Sequence, residues 1–125
     1  MRIVRQYGTM WARNKENIEI IPRGKKGVYI LFDGSMPMYA GKGNIRSRIK
    51  GSCRHRRRKH LWDHFSWYTI KNPAMMHDIE ALMLRILPPN LRSLTRQSGN
   101  FTNAKRILQK DKKADPITRK AAARK

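Results

Sequence analysis

The sequence predicts an α+β domain in which a small, mostly antiparallel sheet is flanked by helices. Three observations carry this. An apolar run, Val28 to Phe32, and a second short run, Met36 to Ala40, are separated by Asp33-Gly34-Ser35; Asp-Gly between two apolar runs signals a hairpin. Residues 65–70 alternate Phe65, Trp67 and Thr69 with Ser66, Tyr68 and Ile70, which suits a strand with both faces partly covered. Two stretches then show apolar residues at helical spacing behind capping residues: Ile45 and Ile49 after Asn44, and Met75 to Ile86 after Asn72-Pro73.

Taken in order, Met1 to Arg13 is basic with scattered apolar residues and reads as a short helix or arm. Ile18 to Ile21 reads as a strand or strand entry, stopped by Pro22, and Pro22 to Lys26 as a basic turn feeding the hairpin. A three-residue hairpin loop, Asp33 to Ser35, sets Tyr29 opposite Tyr39 on one face. A two- or four-residue loop would put the phenols on opposite faces. Gly41-Lys42-Gly43 reads as a glycine corner where the backbone turns and a ligand can approach closely. In the helix that follows, Arg48 falls three residues past Ile45, near the edge of the apolar face.

The run Arg54-His55-Arg56-Arg57-Arg58-Lys59-His60 has no packing pattern. It reads as solvated surface or as a phosphate-contacting loop. After the aromatic strand, a helix is expected from about Ala74 to Leu87, ended by Pro88-Pro89, with Met75, Ile79, Leu82, Met83 and Ile86 as its apolar stripe. Glu80 then sits about 100° round the helix from Ile79, where a carboxylate can face a cleft. Residues 90–101 are polar and irregular and include Arg92 and Arg96; 102–109 suit a short last helix. Residues 111–125, rich in Lys, Arg and Ala, read as a flexible tail able to fold on nucleic acid. The organisation expected is an N-terminal arm or strand over 1–22, a folded domain over 23–110, and the basic tail.

A chain of 125 residues suits one domain with a small core. Its formal charge of +21, from 29 Lys+Arg against 8 Asp+Glu, favours a polyanionic partner, nucleic acid first. No long apolar segment is present to span a membrane. The first nineteen residues lack the apolar core of a secretory signal, and the single cysteine, Cys53, excludes an intrachain disulfide, so an intracellular, cytoplasmic setting is expected.

Gly27-Val28-Tyr29, a short spacer and Tyr39-Ala40-Gly41 resemble the signature of the GIY-YIG endonuclease family. In that family a hairpin carries both tripeptides, a helix follows with an essential arginine, and a later helix holds a metal-binding glutamate. Arg48 and Glu80 match those positions, and the likeness covers roughly residues 27 to 101. It implies a GIY-YIG-like fold and a metal-dependent endonuclease acting on DNA. The alternative is a non-catalytic basic nucleic-acid-binding protein that keeps the fold; a basic structural or ribosome-associated protein is a third reading. Two positions depart from the family. A histidine is common one helical turn after the arginine, where this chain has Ser52, leaving His55 and His60 as loop substitutes for a proton relay. The asparagine that follows the glutamate helix is matched by Asn90, with Thr95 or Asn100 in other registers.

Hydrolysing a phosphodiester requires an activated water, charge stabilisation on the phosphoryl oxygens and help for the leaving oxygen. Arg48 suits the second, since a planar guanidinium grips two phosphate oxygens at once. Lys42 can add a point charge or lower a tyrosine pKa. Glu80 can hold one divalent cation, Mg²⁺ or Mn²⁺, with waters and substrate oxygens completing the shell. The resemblance gives Tyr29 a role in activating water and Tyr39 one in orienting it; beside Lys42, Arg48 and a metal the phenolate would be favoured. Arg54, Arg56, Arg57, Arg58, Lys59, Arg92 and Arg96 are the nucleic-acid contacts expected. No small-molecule cofactor is expected, and specificity is expected to be low or to be supplied by a protein partner or by self-association.

Each residue also has a plain structural alternative: core-edge aromatics for the tyrosines, a surface ion pair for Glu80, one phosphate contact among many for Arg48. Three of the four histidines lie within ten residues, but only Asp63 stands at zinc spacing, so phosphate-facing or surface roles suit them better. Gly41-Lys42-Gly43 is too short for a P-loop, and no Gly-x-Ser-x-Gly motif is present.

Overall fold

A computed structural model describes residues 3–87 and 102; the expectations for Asn90, Arg92, Arg96 and the tail after 110 lie outside the described residues. Strand β1 spans Val4–Ala12, helix α1 Lys15–Ile20, β2 Lys26–Asp33, β3 Met36–Asn44, α2 Ile45–Arg54 and β4 His64–Ile70. A single 3₁₀ turn, Pro73–Met75, leads into α3, Met76–Ile86. The four strands form one sheet in the order β1-β4-β2-β3, with every neighbouring pair antiparallel. The sheet and its flanking helices agree with the α+β class expected.

Two N-terminal expectations are corrected. The helix or arm expected before Arg13 is strand β1, paired along β4 from Val4↔Ile70 to Ala12↔His64. Its register shifts twice, between Val4 and Tyr7 and between Gly8 and Trp11, and each irregularity breaks the period of two that marks a strand in sequence. The strand expected at Ile18–Ile21 is the end of α1. Asn14 accepts from the Asn17 N–H at 2.8 Å as N-cap. Ile18 and Ile21, three apart, are buried, while Ile20 is 62% exposed. Three clustered β-branched residues favour strand by propensity, but the cap and the core decide. Residues 4–21 thus supply β1, the strand alternative for this segment, and α1.

The hairpin register is a further correction. Asp33 pairs with Met36, leaving a two-residue turn, Gly34-Ser35. Leu31 pairs with Tyr39 but Phe32 with Pro37, so Met38 is an extra residue on β3. That bulge moves the register by one, and Tyr29 lies opposite Gly41 rather than Tyr39. The two-residue turn alone would separate the tyrosines; turn and bulge together return them to one face as a diagonal pair. The expected glycine corner is also absent, since β3 continues through Gly41 and Gly43 to Asn44.

The sheet has a layer on each face. On one, Tyr29, Leu31, Phe65 and Trp67 pack with Ile18, Ile21, Ile45, Ile49 and Trp62 under α1 and α2. On the other, Val28, Ile70 and Met76, and Ala40 with Leu84 and Leu87, pack under α3. Asn44 caps α2 through the Ser47 N–H at 3.4 Å, and Asn72 caps the turn before α3 through the Ala74 N–H at 3.0 Å, with Pro73 at the first position. The α3 stripe differs from the one expected. Met76, Ala81 and Leu84 are buried, while Leu82 and Ile86 are 54% and 73% exposed. The helix is thus turned so that Glu80 faces the sheet margin.

Gly27 sits where three strands meet, paired with Gly43 and Thr69. A Cβ there would fall 2.0 Å from the Tyr68 carbonyl oxygen and 2.9 Å from the Thr69 Cα. Backbone cannot yield as a flexible side chain does, so Gly27→Ala is expected to destabilise the fold by about 3 kcal/mol, the upper end for overpacking. A urea midpoint equal to wild type would contradict that placement.

Candidate active site

Beginning from the glycine opposite Tyr29, the site builds outward along β3. The Tyr29 ring lies over Gly41: a Cβ on Gly41 would stand 2.5 Å from the phenolic oxygen. A glycine in the second tripeptide is therefore what lets the tyrosine of the first lie flat on the neighbouring strand. Tyr39 stacks beside it, with ring centroids 6.2 Å apart and an interplanar angle of 30°. Two residues on, Gly43 leaves room for Arg48, whose Nε would be 3.1 Å from a Cβ at that position. Arg48, exposed on α2, thus reaches the same stretch of β3 as the Tyr29 phenol.

Arg58 enters from the loop after α2. Its guanidinium stacks over the Tyr39 ring, 4.3 Å from the centroid, a contact worth about 0.5–2 kcal/mol depending on desolvation. His55 holds the turn that aims it: the imidazole Nδ1 accepts from the Arg57 and Arg58 N–H groups, both at 3.2 Å. Desolvation, then the Arg58 and Arg57 charges, keeps His55 below the ordinary imidazole range. Its Nδ1 is committed to the loop backbone, which leaves Nε2 as the ring nitrogen for any proton relay. His60 is exposed in the turns before β4. Neither Arg48 nor Arg58 has a carboxylate partner among the described residues, and the Arg58 Nε is buried without a hydrogen bond.

Tyr29 is 2% exposed. Burial first, and then neighbouring Tyr39, push its phenol well above the ordinary value. Arg58, Arg48 and the adjacent Ser52 hydroxyl pull the other way and do not prevail. Ser52 is itself fully buried, and its Oγ makes no hydrogen bond of good geometry. The protein's own groups do not favour the phenolate expected beside Lys42, Arg48 and a metal: burial outweighs the two guanidiniums, and Lys42 points to the other face. In a spectrophotometric titration, subtracting Tyr29→Phe from wild type should reveal one phenolate that appears only above about pH 10. Because the folded-state pKa is raised, the neutral phenol's contribution is intact below the unfolded value near 10 and is lost as pH climbs beyond it. A difference curve rising below pH 10 would contradict the burial account.

Lys42 pairs with Val28 and so projects to the α3 face, away from the tyrosines. Its Nζ lies 3.5 Å from Glu80 Oε1 and 2.7 Å from His77 Nδ1. The Glu80 side chain is 15% exposed. The structure thus divides the sequence-predicted site. Tyr29, Tyr39 and Arg48, joined by Arg58, occupy one face of β3, and Lys42 and Glu80 the other. Among the described residues β3 is the last strand of the sheet, so both sets stand on an edge strand, one on each face. Arg54, Arg56, Arg57 and Lys59 are exposed around the loop. The inward turn of Arg58 and the burial of Ser52 were missed from sequence; nothing in a run of four arginines marks the one that folds back.

No family model and no curated protein matches the sequence. Four solved chains match by structure. Among them the chain is similar to the GIY-YIG N-terminal endonuclease domain of UvrC from Thermotoga maritima, a point mutant bound to its catalytic divalent cation. The TM-score is 0.49 and the identity 21%, covering 58% of this chain and 91% of that one. A second point mutant of the same domain, also with its catalytic divalent cation, gives 0.49 and 20%, covering 58% and 92%.

Proposed function

We propose that this protein is a metal-dependent DNA endonuclease whose scissile phosphodiester lies at the β3 rim, between the arginines on one face and Glu80 on the other. The single observation that carries this reading is the pair of guanidiniums without acidic partners among the described residues, Arg48 and Arg58, set around a buried phenol. Two forked cations left without a carboxylate are receptors for an anion with several oxygens, and phosphate is the one a strongly basic chain meets.

Glu80 suits a hard divalent cation. Its carboxylate is half-buried and fixed, with one oxygen toward Lys42 at 3.5 Å and the other available. Among the described residues no group of three or more His, Cys, Asp or Glu stands together to hold a metal, which fits Mg²⁺ or Mn²⁺ bound by one carboxylate, water and substrate oxygens better than it fits zinc. When bound, such an ion stabilises charge on a phosphodiester and its leaving oxygen. The protein's own groups do the rest. Arg48 and Arg58 clamp the non-bridging oxygens. Tyr29, held neutral by the protein's own surroundings, orients the attacking water through its hydroxyl. Tyr39 holds the Arg58 plane. Lys42 keeps the Glu80 carboxylate oriented from the side opposite the tyrosines. DNA is the substrate class proposed on the strength of the family resemblance of the two tripeptides.

Conversion of supercoiled plasmid to nicked or linear forms, dependent on Mg²⁺ or Mn²⁺ and abolished by EDTA, tests this directly. Binding of duplex, single-stranded and branched DNA with no cleavage under any of these conditions would leave the non-catalytic reading in its place.

A further inference from the structure

The flank of α2 turned away from Arg48 carries a second basic feature. Arg46, Lys50 and Arg54 recur every four residues, one stripe about 12 Å long on the helix surface. Lys50 lies about 160° round the helix from Arg48, so this stripe and the tyrosine rim face different directions. Two openings flank it. One, of 280 Å³, is lined by Arg23, Arg46 and Lys50 with no acid. The other, of 380 Å³ between α1 and α2, is lined by Lys15, Lys50 and Arg54 and a lone acid, Glu19. Lys50 borders both, so the openings adjoin at its side chain and follow one another along the helix. None of these cations pairs with a carboxylate among the described residues, and the Arg46 Nε is buried without a hydrogen bond.

We propose that this path is a track for the sugar–phosphate backbone of nucleic acid, holding a segment that is not being cut. Cations spaced by one helical turn match a ligand with repeated single charges better than a compact anion. Concave sides with shared Lys50 favour a strand lying along the helix over a flat membrane surface. With Glu19 the one acid in the lining of the two openings, the field along the path is strongly positive. Substrate held at both the rim and the track would be gripped on two sides of α2, which would favour bent or branched nucleic acid over a straight duplex. The track is read by binding alone, so it can stand where the nuclease reading falls, and the reverse.

Equilibrium binding of a fluorescent DNA duplex and of a four-way junction, each over a series of salt concentrations, tests it. Arg46→Glu/Lys50→Glu/Arg54→Glu is compared with Arg5→Glu/Lys26→Glu/Lys71→Glu, an equal charge change around a neighbouring basic opening that no α2 residue lines. The track variant should lose about three in the slope of log affinity against log salt, about one per phosphate contact, and the control less than one. Equal loss in both would overturn the track and leave only a diffuse field. Loss of binding to anionic vesicles with DNA binding intact would overturn the choice of ligand. If charge reversal unfolds the chain, judged by circular dichroism, Arg46→Gln/Lys50→Gln/Arg54→Gln carries the same comparison with a smaller slope change in the same order.

Discussion

Glu80→Ala is expected to lower DNA cleavage by at least about a hundredfold, the scale of one lost transition-state contact, with DNA affinity equal or slightly higher. The two effects separate because their physical origins do. Affinity comes mainly from a chain at +21, so one carboxylate removed from it only relieves repulsion with phosphate. Cleavage depends on the cation that this half-buried carboxylate is proposed to hold. Glu80→Gln should behave alike, since a neutral amide is a poor ligand for a hard cation. Lys42 has His77 Nδ1 as a second partner at 2.7 Å, so the local fold is expected to survive in either variant, which circular dichroism checks, and the loss can then be assigned to the ligand. Equal cleavage by wild type and Glu80→Ala, measured under single-turnover conditions, would show that the metal is held elsewhere.

Arg48→Ala should also cost at least about a hundredfold in cleavage, but with a modest fall in affinity from the missing phosphate contact. Arg58 separates charge from shape. Arg58→Lys keeps the cation but loses the plane that lies on Tyr39 and the fork that spans two oxygens, and a cleavage loss of about tenfold is expected with affinity unchanged. Tyr39→Leu, which removes the ring beneath Arg58, should resemble Arg58→Lys and add little when combined with it. Losses that multiply in the double variant would mean that Tyr39 and Arg58 act separately.

Much of this was legible in the residues. The Asp-Gly turn, the aromatic strand and the caps at Asn44 and Asn72 are local signals, and each element they announce is present. What sequence could not supply came from contacts distant along the chain. β1 is a strand because β4 pairs with it, through two irregularities that erase its alternation. α1 is a helix because Ile18 and Ile21 have a core to enter, against the propensity of its β-branched residues. The tyrosines share a face through a bulge at Met38 that no turn rule announces. Within the candidate site, the resemblance named Tyr29, Tyr39, Arg48 and Glu80, and the charge of Lys42 beside them added a fifth. Neither showed that Lys42 and Glu80 lie across the strand from the tyrosines, or that burial keeps Tyr29 neutral. Both depend on which way alternate residues of an edge strand point, and a register error of one reverses that.

The central claim, one phosphodiester held at the β3 rim by groups from both faces of the sheet, is tested most directly by a crystal structure with duplex DNA and Ca²⁺ in place of the reactive ion. The account predicts Ca²⁺ about 2.3–2.6 Å from a Glu80 carboxylate oxygen. It places a backbone phosphate within about 3 Å of both the Arg48 and Arg58 guanidiniums, with the Tyr29 hydroxyl facing the phosphorus. A phosphate bound only on the outer flank of α2, with Glu80 still on Lys42 and no ion beside it, would contradict that claim.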